Sequence, residues 1–169
     1  MIGIGQKFPE VSLNGVDLNN DMSMEDTWEN GKGWRVFYFY PKDFTFICPT
    51  EIAGMDILVD EAEVLGISGD NEFCKLAWKT ANGAIRNIRH SLAADCGLYL
   101  AEELGIVDND NGVAYRATYI VDPEGYIQHM SINSLDTGRN ANEVLRTLQA
   151  LKAGGLTGCE WQPGDEYVV

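Results

Sequence analysis

The chain predicts an α/β fold, a central mixed β-sheet flanked by helices, and three observations carry that expectation. Strand-like and helix-like segments alternate along the sequence. Arg35–Tyr40 (RVFYFY) and Glu63–Ser68 (EVLGIS) are apolar with almost no polar alternation, as expected of strands covered on both faces. Near the C-terminus, Tyr115–Val121 and Tyr126–Ile132 flank Asp122-Pro123-Glu124-Gly125, a reversing turn that makes them a hairpin.

In chain order, Asn30-Gly31-Lys32-Gly33 turns into the first of these strands. After Glu63–Ser68, Asn71–Thr80 reads as a helix with Asp70 as N-cap and Phe73, Ala77 and Trp78 on one face. Gly97–Leu104 is a shorter helix. After the hairpin, Asn142–Lys152 presents Val144, Leu145, Leu148 and Leu151 as an apolar stripe, and Gly154-Gly155 ends it. From Leu156 to Val169 no period is visible. Segments in this order fit a thioredoxin-like fold, although the order alone does not single it out. No linker or repeat divides the 169 residues, so one domain is expected over 1–169, with 154–169 as a tail.

A formal net charge of −14 repels polyanions, so nucleic acid is not an expected partner. No apolar run approaches the roughly 20 residues of a membrane span, and Met1–Gln6 lacks the basic flank and apolar stretch of a signal peptide. The cytoplasm is the expected compartment, where four cysteines remain thiols.

The cysteines are Cys48, Cys74, Cys96 and Cys159, with no Cys-x-x-Cys pair, and His90 and His129 stand alone. This spacing offers neither a zinc ribbon nor a thioredoxin-type redox pair, and no metal or cofactor is implied. Asp108–Gly112 (DNDNG) glances at a calcium loop, but its glycine comes one position early and Tyr119 stands where the bidentate glutamate belongs, so a polar hairpin loop is expected. Cys48 is different. It joins an apolar strand to a predicted helix within Pro41-Lys42-Asp43-Phe44-Thr45-Phe46-Ile47-Cys48-Pro49-Thr50-Glu51. A cysteine at a helix N-terminus faces unpaired backbone N–H groups and the positive end of the helix dipole, a setting that favours thiolate. Pro49 suits the first helical turn, Thr45 offers a hydroxyl to a small oxygenated substrate, and Pro41 can shield the sulfur from bulk water.

Pro41-x-x-x-Thr45-x-x-Cys48 resembles the active-site signature of the peroxiredoxins, with the typical two-cysteine, alkyl hydroperoxide reductase C type as the nearest pattern. Further blocks resemble the family in order: Glu72–Trp78, Gly112–Asp122, Asn133–Asn140 and Trp161–Asp165. The resemblance implies a thioredoxin-like fold and a peroxidase that needs no cofactor. It makes Cys48 the peroxidatic cysteine, Thr45 a hydrogen-bond partner of the peroxide, and Arg116 the cation that stabilises thiolate and leaving oxygen. Glu51 and Arg139 match an ion-pair network that holds the arginine. Phe44 and Phe46 match an apolar collar and dimer-to-dimer contact, with core packing as the alternative.

Cys159 is the implied resolving cysteine, delivered by the partner subunit's tail. The usual place, four residues before Trp161, is held here by Thr157, and glycines at 154, 155 and 158 suggest a tail flexible enough to compensate. Cys74 and Cys96 are placed on helices and assigned to packing, with service as an auxiliary thiol as the alternative. Only Ile52–Glu63 separates CPTE from the next strand, so the Cys48 helix is expected to be about a turn short. Asn82–Ile85 replaces the GGLG segment of easily overoxidised relatives and no tyrosine–phenylalanine helix follows Val169, which implies resistance to excess peroxide. Expected partners are a hydroperoxide, a thiol reductant (thioredoxin-like or a flavoprotein reductase), and further copies of the chain as a homodimer and a ring of five or six dimers. Alternatives are one-cysteine chemistry resolved by an external thiol, and a ring-forming holdase or peroxide-signalling protein.

Overall fold

The computed structural model describes residues 1–169. Its elements run β1 (Ser12–Val16), β2 (Met22–Asp26), β3 (Arg35–Phe39), α1 (Cys48–Met55), a 3₁₀ segment (Asp56–Asp60), β4 (Glu63–Ser68), α2 (Glu72–Ala81), β5 (Ser91–Ala94), α3 (Tyr99–Leu104), β6 (Val107–Asp108), β7 (Val113–Ala114), β8 (Arg116–Val121), β9 (Ile127–Asn133) and α4 (Ala141–Ala153). Seven strands form one sheet in the order β2-β1-β5-β4-β3-β8-β9. β3 pairs parallel to β4 and antiparallel to β8, which makes the sheet mixed as expected.

β3 lies fifth of the seven strands, between covering layers, and its alternation splits the core. Phe37 and Phe39 point to the side of α3, joining Leu100, Leu104, Ala117 and Tyr119. Val36, Tyr38 and Tyr40 point to the side of α1, α2 and α4, joining Ile52, Trp78, Val144 and Leu148. An apolar run without polar alternation is thus the signature of burial on two faces. β8 obeys the same period, so Arg116 and Thr118 project to the α1 side while Ala117 and Tyr119 project to the other.

Several expectations are corrected. α2 is capped by Asn71, whose side chain accepts from Cys74 N at 2.8 Å, and not by Asp70. Asp70 instead accepts from the Asp43 backbone at 2.7 Å. The inward face of α2 is Lys75, Trp78 and Lys79, whereas Phe73 is 67% exposed. The two lysines fit inside because their long stems reach acceptors: Ser68 and Asp43 for Lys75, the Asp17 carbonyl for Lys79. Cys96 lies in the turn before α3 and is exposed, so it neither sits on a helix nor packs. The acidic Asp108–Gly112 segment is the expected hairpin loop, its Asp108 carboxylate accepting from Asp110 N and Asn111 N. No helix is long and apolar enough to cross a membrane.

Candidate active site

Cys48 is the first residue of α1 and is only 1% exposed. The helix start supplies less to it than the sequence suggests. Pro49 has no N–H, and the Ile47 carbonyl already accepts from Thr50 N at 3.0 Å and Glu51 N at 3.3 Å. The donor that reaches the sulfur is a side chain from β8: Arg116 Nη1 donates to Cys48 Sγ at 3.4 Å. Residues 68 positions apart are thus joined by the β3–β8 pairing, which sets Arg116 beside the C-terminal end of β3.

Glu51, one turn along α1, divides its carboxylate between two guanidiniums. Oε1 accepts from Arg116 Nη1, and Oε2 accepts from Arg139 Nε and from the Arg139 backbone N at 3.0 Å. Arg116 Nε also donates to the Leu135 carbonyl at 2.7 Å. Arg139 Nη1 donates to Ala117 O at 2.9 Å and Thr118 Oγ1 at 3.2 Å, and Nη2 to Phe39 O. The side chains of Glu51, Arg116 and Arg139 are nearly inaccessible, so their attraction is little screened. Burial works against the charge on Arg116, but its contacts with Cys48 and Glu51 outweigh that and hold it more firmly protonated than usual. Two guanidiniums against one carboxylate leave one positive charge in excess beside the sulfur.

Thr45 lies in the loop before α1, and its hydroxyl donates to the Lys42 carbonyl at 2.8 Å. With the proton so engaged, the oxygen presents lone pairs to an O–H donor. Pro41 follows β3 on the same loop and is half-buried. Phe44 takes a left-handed backbone (φ 56°), unusual for a bulky residue. Core packing is excluded for both loop phenylalanines, Phe44 being 56% and Phe46 95% exposed.

The other three thiols sit in contrasting places. Burial, followed by Asp43 and Asp70, pushes the Cys74 thiol up to about 11. Burial and then Glu72 raise that of Cys96. Cys159 is exposed, but its tail is folded onto α4 and is not the loose arm the glycines suggested. Trp161 stacks on Tyr167, Arg146 Nη1 donates to Trp161 O at 3.1 Å, and Tyr167 Oη donates to Ala153 O at 3.1 Å. A Cβ on Gly155 would stand 2.5 Å from the Tyr167 ring, so that glycine permits close packing. All four cysteines are free, so no disulfide joins Cys48 to Cys159 within the chain.

Two buried polar clusters went unread in the sequence. Lys75 donates to Ser68 Oγ and, at 3.3 Å, to Asp43, which also accepts from Tyr40 Oη at 2.7 Å. Asp43, Asp70 and Cys74 could offer three ligand atoms within 4.8 Å of one another, but the Lys75 ammonium already occupies the Asp43 carboxylate and the thiol is held protonated, so the donor set suits a cation poorly. The second cluster joins Tyr38, His90 and Asp56. Its one visible trace is Gly66 inside a strand, a mark of close approach by another group.

Residues 4–130 match the AhpC/TSA family. The chain is 38% identical to alkyl hydroperoxide reductase C of Mycolicibacterium smegmatis, over 99% of this chain and 94% of the relative. It is 37% identical to peroxiredoxin-1 of Gallus gallus, over 98% and 89%. The reduced 2-Cys peroxiredoxin of Plasmodium vivax superposes with a TM-score of 0.90 at 32% identity, covering 98% of this chain and 92% of that one. Its mixed sheet is the thioredoxin-like sheet of these structures, and the chain belongs to the AhpC/TSA family as a peroxiredoxin, a thiol-dependent peroxidase of the alkyl hydroperoxide reductase C type.

Proposed function

We propose that Cys48 reduces hydrogen peroxide and organic hydroperoxides. The observation that carries this reading is the Arg116 Nη1 to Cys48 Sγ contact at 3.4 Å, fixed by a buried Glu51. The thiolate attacks one peroxide oxygen, the O–O bond breaks, and the departing hydroxide or alkoxide takes a proton to leave as water or alcohol. Cys48 becomes a sulfenic acid. Arg116 stays charged throughout and faces the negative charge as it moves from sulfur to leaving oxygen. Thr45 accepts from the peroxide O–H, and Pro41 walls the loop.

The second half-reaction is assigned to Cys159 of the partner subunit. Its thiolate attacks the Cys48 sulfenic sulfur, the S–O bond breaks, hydroxide takes up a proton to leave as water, and the disulfide is reopened by two electrons and two protons from a reductant, either a thioredoxin-like dithiol protein or a flavoprotein reductase. Supporting this choice, Cys159 is exposed on the C-terminal tail, whereas burial and nearby carboxylates raise the thiol pKa of the half-buried Cys74 and of the exposed Cys96. Because Cys48 is almost fully covered, the first turn of α1 must open before any second thiol reaches it. One-cysteine chemistry has one observation in its favour, the strapping of the Cys159 tail onto its own α4.

The working unit is read as a single domain over 1–169, cytoplasmic, that pairs through the outer edge of β9 into homodimers. The exposed Phe44 and Phe46 favour further assembly into a ring of five or six dimers. A holdase or signalling role would rest on that ring. Peroxide turnover and chaperone assays on Cys48→Ser separate the readings: turnover should vanish, and retained turnover would overturn the assignment. One equivalent of hydrogen peroxide, followed by non-reducing electrophoresis and peptide mass spectrometry, should give a Cys48–Cys159 dimer that is absent from Cys159→Ser. A sulfenic acid without a dimer would establish one-cysteine chemistry instead.

A further inference from the structure

We infer that Tyr38, held by His90 and Asp56, is a positioning residue for the peroxidase centre and acts through Arg139. The inference rests on the reading of Cys48, Arg116, Glu51 and Arg139 given above. Tyr38 is fully buried on β3, with Gly66 of β4 as its direct cross-strand neighbour. A Cβ at position 66 would lie 2.4 Å from the Tyr38 hydroxyl, so the glycine opens a passage across β4. Through it the hydroxyl reaches His90 Nε2 at 2.6 Å, just ahead of β5. His90 Nδ1 lies 2.8 Å from Asp56 Oδ1 at the end of α1.

The proton positions follow from chemistry. Burial works against the Asp56 carboxylate, but His90 and Arg89 donate to it and together hold its pKa below the usual carboxylate value. An ionised carboxylate only accepts, so His90 Nδ1 carries the proton. Burial lowers the imidazole pKa and keeps the ring neutral, which leaves Nε2 as acceptor for the Tyr38 O–H. Burial also raises the phenol pKa, so Tyr38 remains a donor. Every member of the chain is satisfied, and the ring plane of Tyr38 is fixed from its far end.

That ring carries Arg139, whose guanidinium carbon lies 5.2 Å from the ring centroid. In its own plane Arg139 is pinned by Glu51, Ala117, Thr118 and Phe39. Tyr38 supplies the support perpendicular to that plane, a cation–π contact in a desolvated site. Arg139 orients Glu51, Glu51 orients Arg116, and Arg116 meets the sulfur. The route from Asp56 to Cys48 is therefore a continuous line of bonded or stacked groups.

The test is a double-mutant cycle read by stopped-flow fluorescence, as the second-order rate constant for oxidation of reduced protein by hydrogen peroxide. Tyr38→Leu should lower that constant about tenfold, and Tyr38→Phe, which keeps the ring but not its anchor, about threefold. In the Arg139→Ala background neither should add more than about twofold. Full loss in both backgrounds would mean a merely structural role and overturn the inference, as would no loss in either. If Arg139→Ala slows oxidation while the Tyr38 variants do not, the inference alone fails. An unaffected Arg139→Ala removes the network reading beneath it. Should Tyr38→Leu not fold, Tyr38→Phe in the two backgrounds carries the same comparison.

Discussion

Two cysteines in this chain lie against buried ion clusters on the same side of the sheet, and the clusters differ in sign. Beside Cys48, Arg116 and Arg139 share Glu51, leaving positive charge in excess. Beside Cys74, Asp43 and Asp70 face Lys75, leaving negative charge in excess. The outcome follows Coulomb's law at short range in a poorly screened site. A thiolate at Cys48 completes a neutral set, whereas a thiolate at Cys74 would add to an anionic one, and burial with those carboxylates pushes its thiol up to about 11. The difference teaches that the charge balance of the cluster behind a cysteine, more than its place on a helix, distinguishes the two sites, and the function proposed for Cys48 rests on that balance.

The largest effect should come from removing the excess cation. Arg116→Leu is expected to lower kcat/KM for peroxide by about 10²–10³-fold, the range seen when a fixed donor to developing charge is lost, and steady-state kinetics would check it; a loss under threefold would break the comparison. Glu51→Gln leaves two buried guanidiniums facing each other without a counter-ion. It should cost about 3–5 kcal/mol of stability in denaturant unfolding and slow peroxide reduction as Arg116 loses its anchor. A stable, fully active Glu51→Gln protein would deny the network its role.

Smaller changes sharpen the contrast from the other cluster. Asp70→Asn removes one of the carboxylates that raise the Cys74 thiol, so its pKa should fall from about 11. Iodoacetamide should then label Cys74 several-fold faster near pH 9 while peroxide reduction stays unchanged; unaltered labelling would show that burial alone holds the thiol. The smallest effect concerns stability against pH. Burial depresses the His90 pKa in the folded protein, so its contribution is present above the ordinary value of about 6.5 and is lost as pH falls below it. Thermal unfolding should weaken between pH 7 and 5, and His90→Gln should flatten part of that fall. His129, also depressed by burial, should leave a remainder.

What the sequence reveals here divides along physical lines. β4 is read with its observed bounds and β3 to within one residue, because burial on both faces writes an unbroken apolar run. That Cys48, Thr45 and Pro41 lie near one another is legible because they share one short stretch of sequence, the loop after β3 and the first residue of α1. The approach of Arg116, Glu51 and Arg139 depends on β3–β8 pairing, and only the family pattern anticipated it. The edge strand β2 and its neighbour β1 escaped notice since they are short and lack an unbroken apolar run, and β5 is only four residues long. Lys75, Lys79 and His90 look like surface residues in one dimension. Their burial depends on acceptors supplied by distant segments, which no local pattern encodes.

On the function proposed above, the positively balanced cluster makes Cys48 the thiol that meets peroxide. The most direct measurement treats reduced Cys159→Ser protein with one equivalent of hydrogen peroxide in the presence of dimedone and maps the adduct by peptide mass spectrometry. Label is expected on Cys48 alone, in near-stoichiometric yield. Comparable label on Cys74 or Cys96, or none on Cys48, would contradict it.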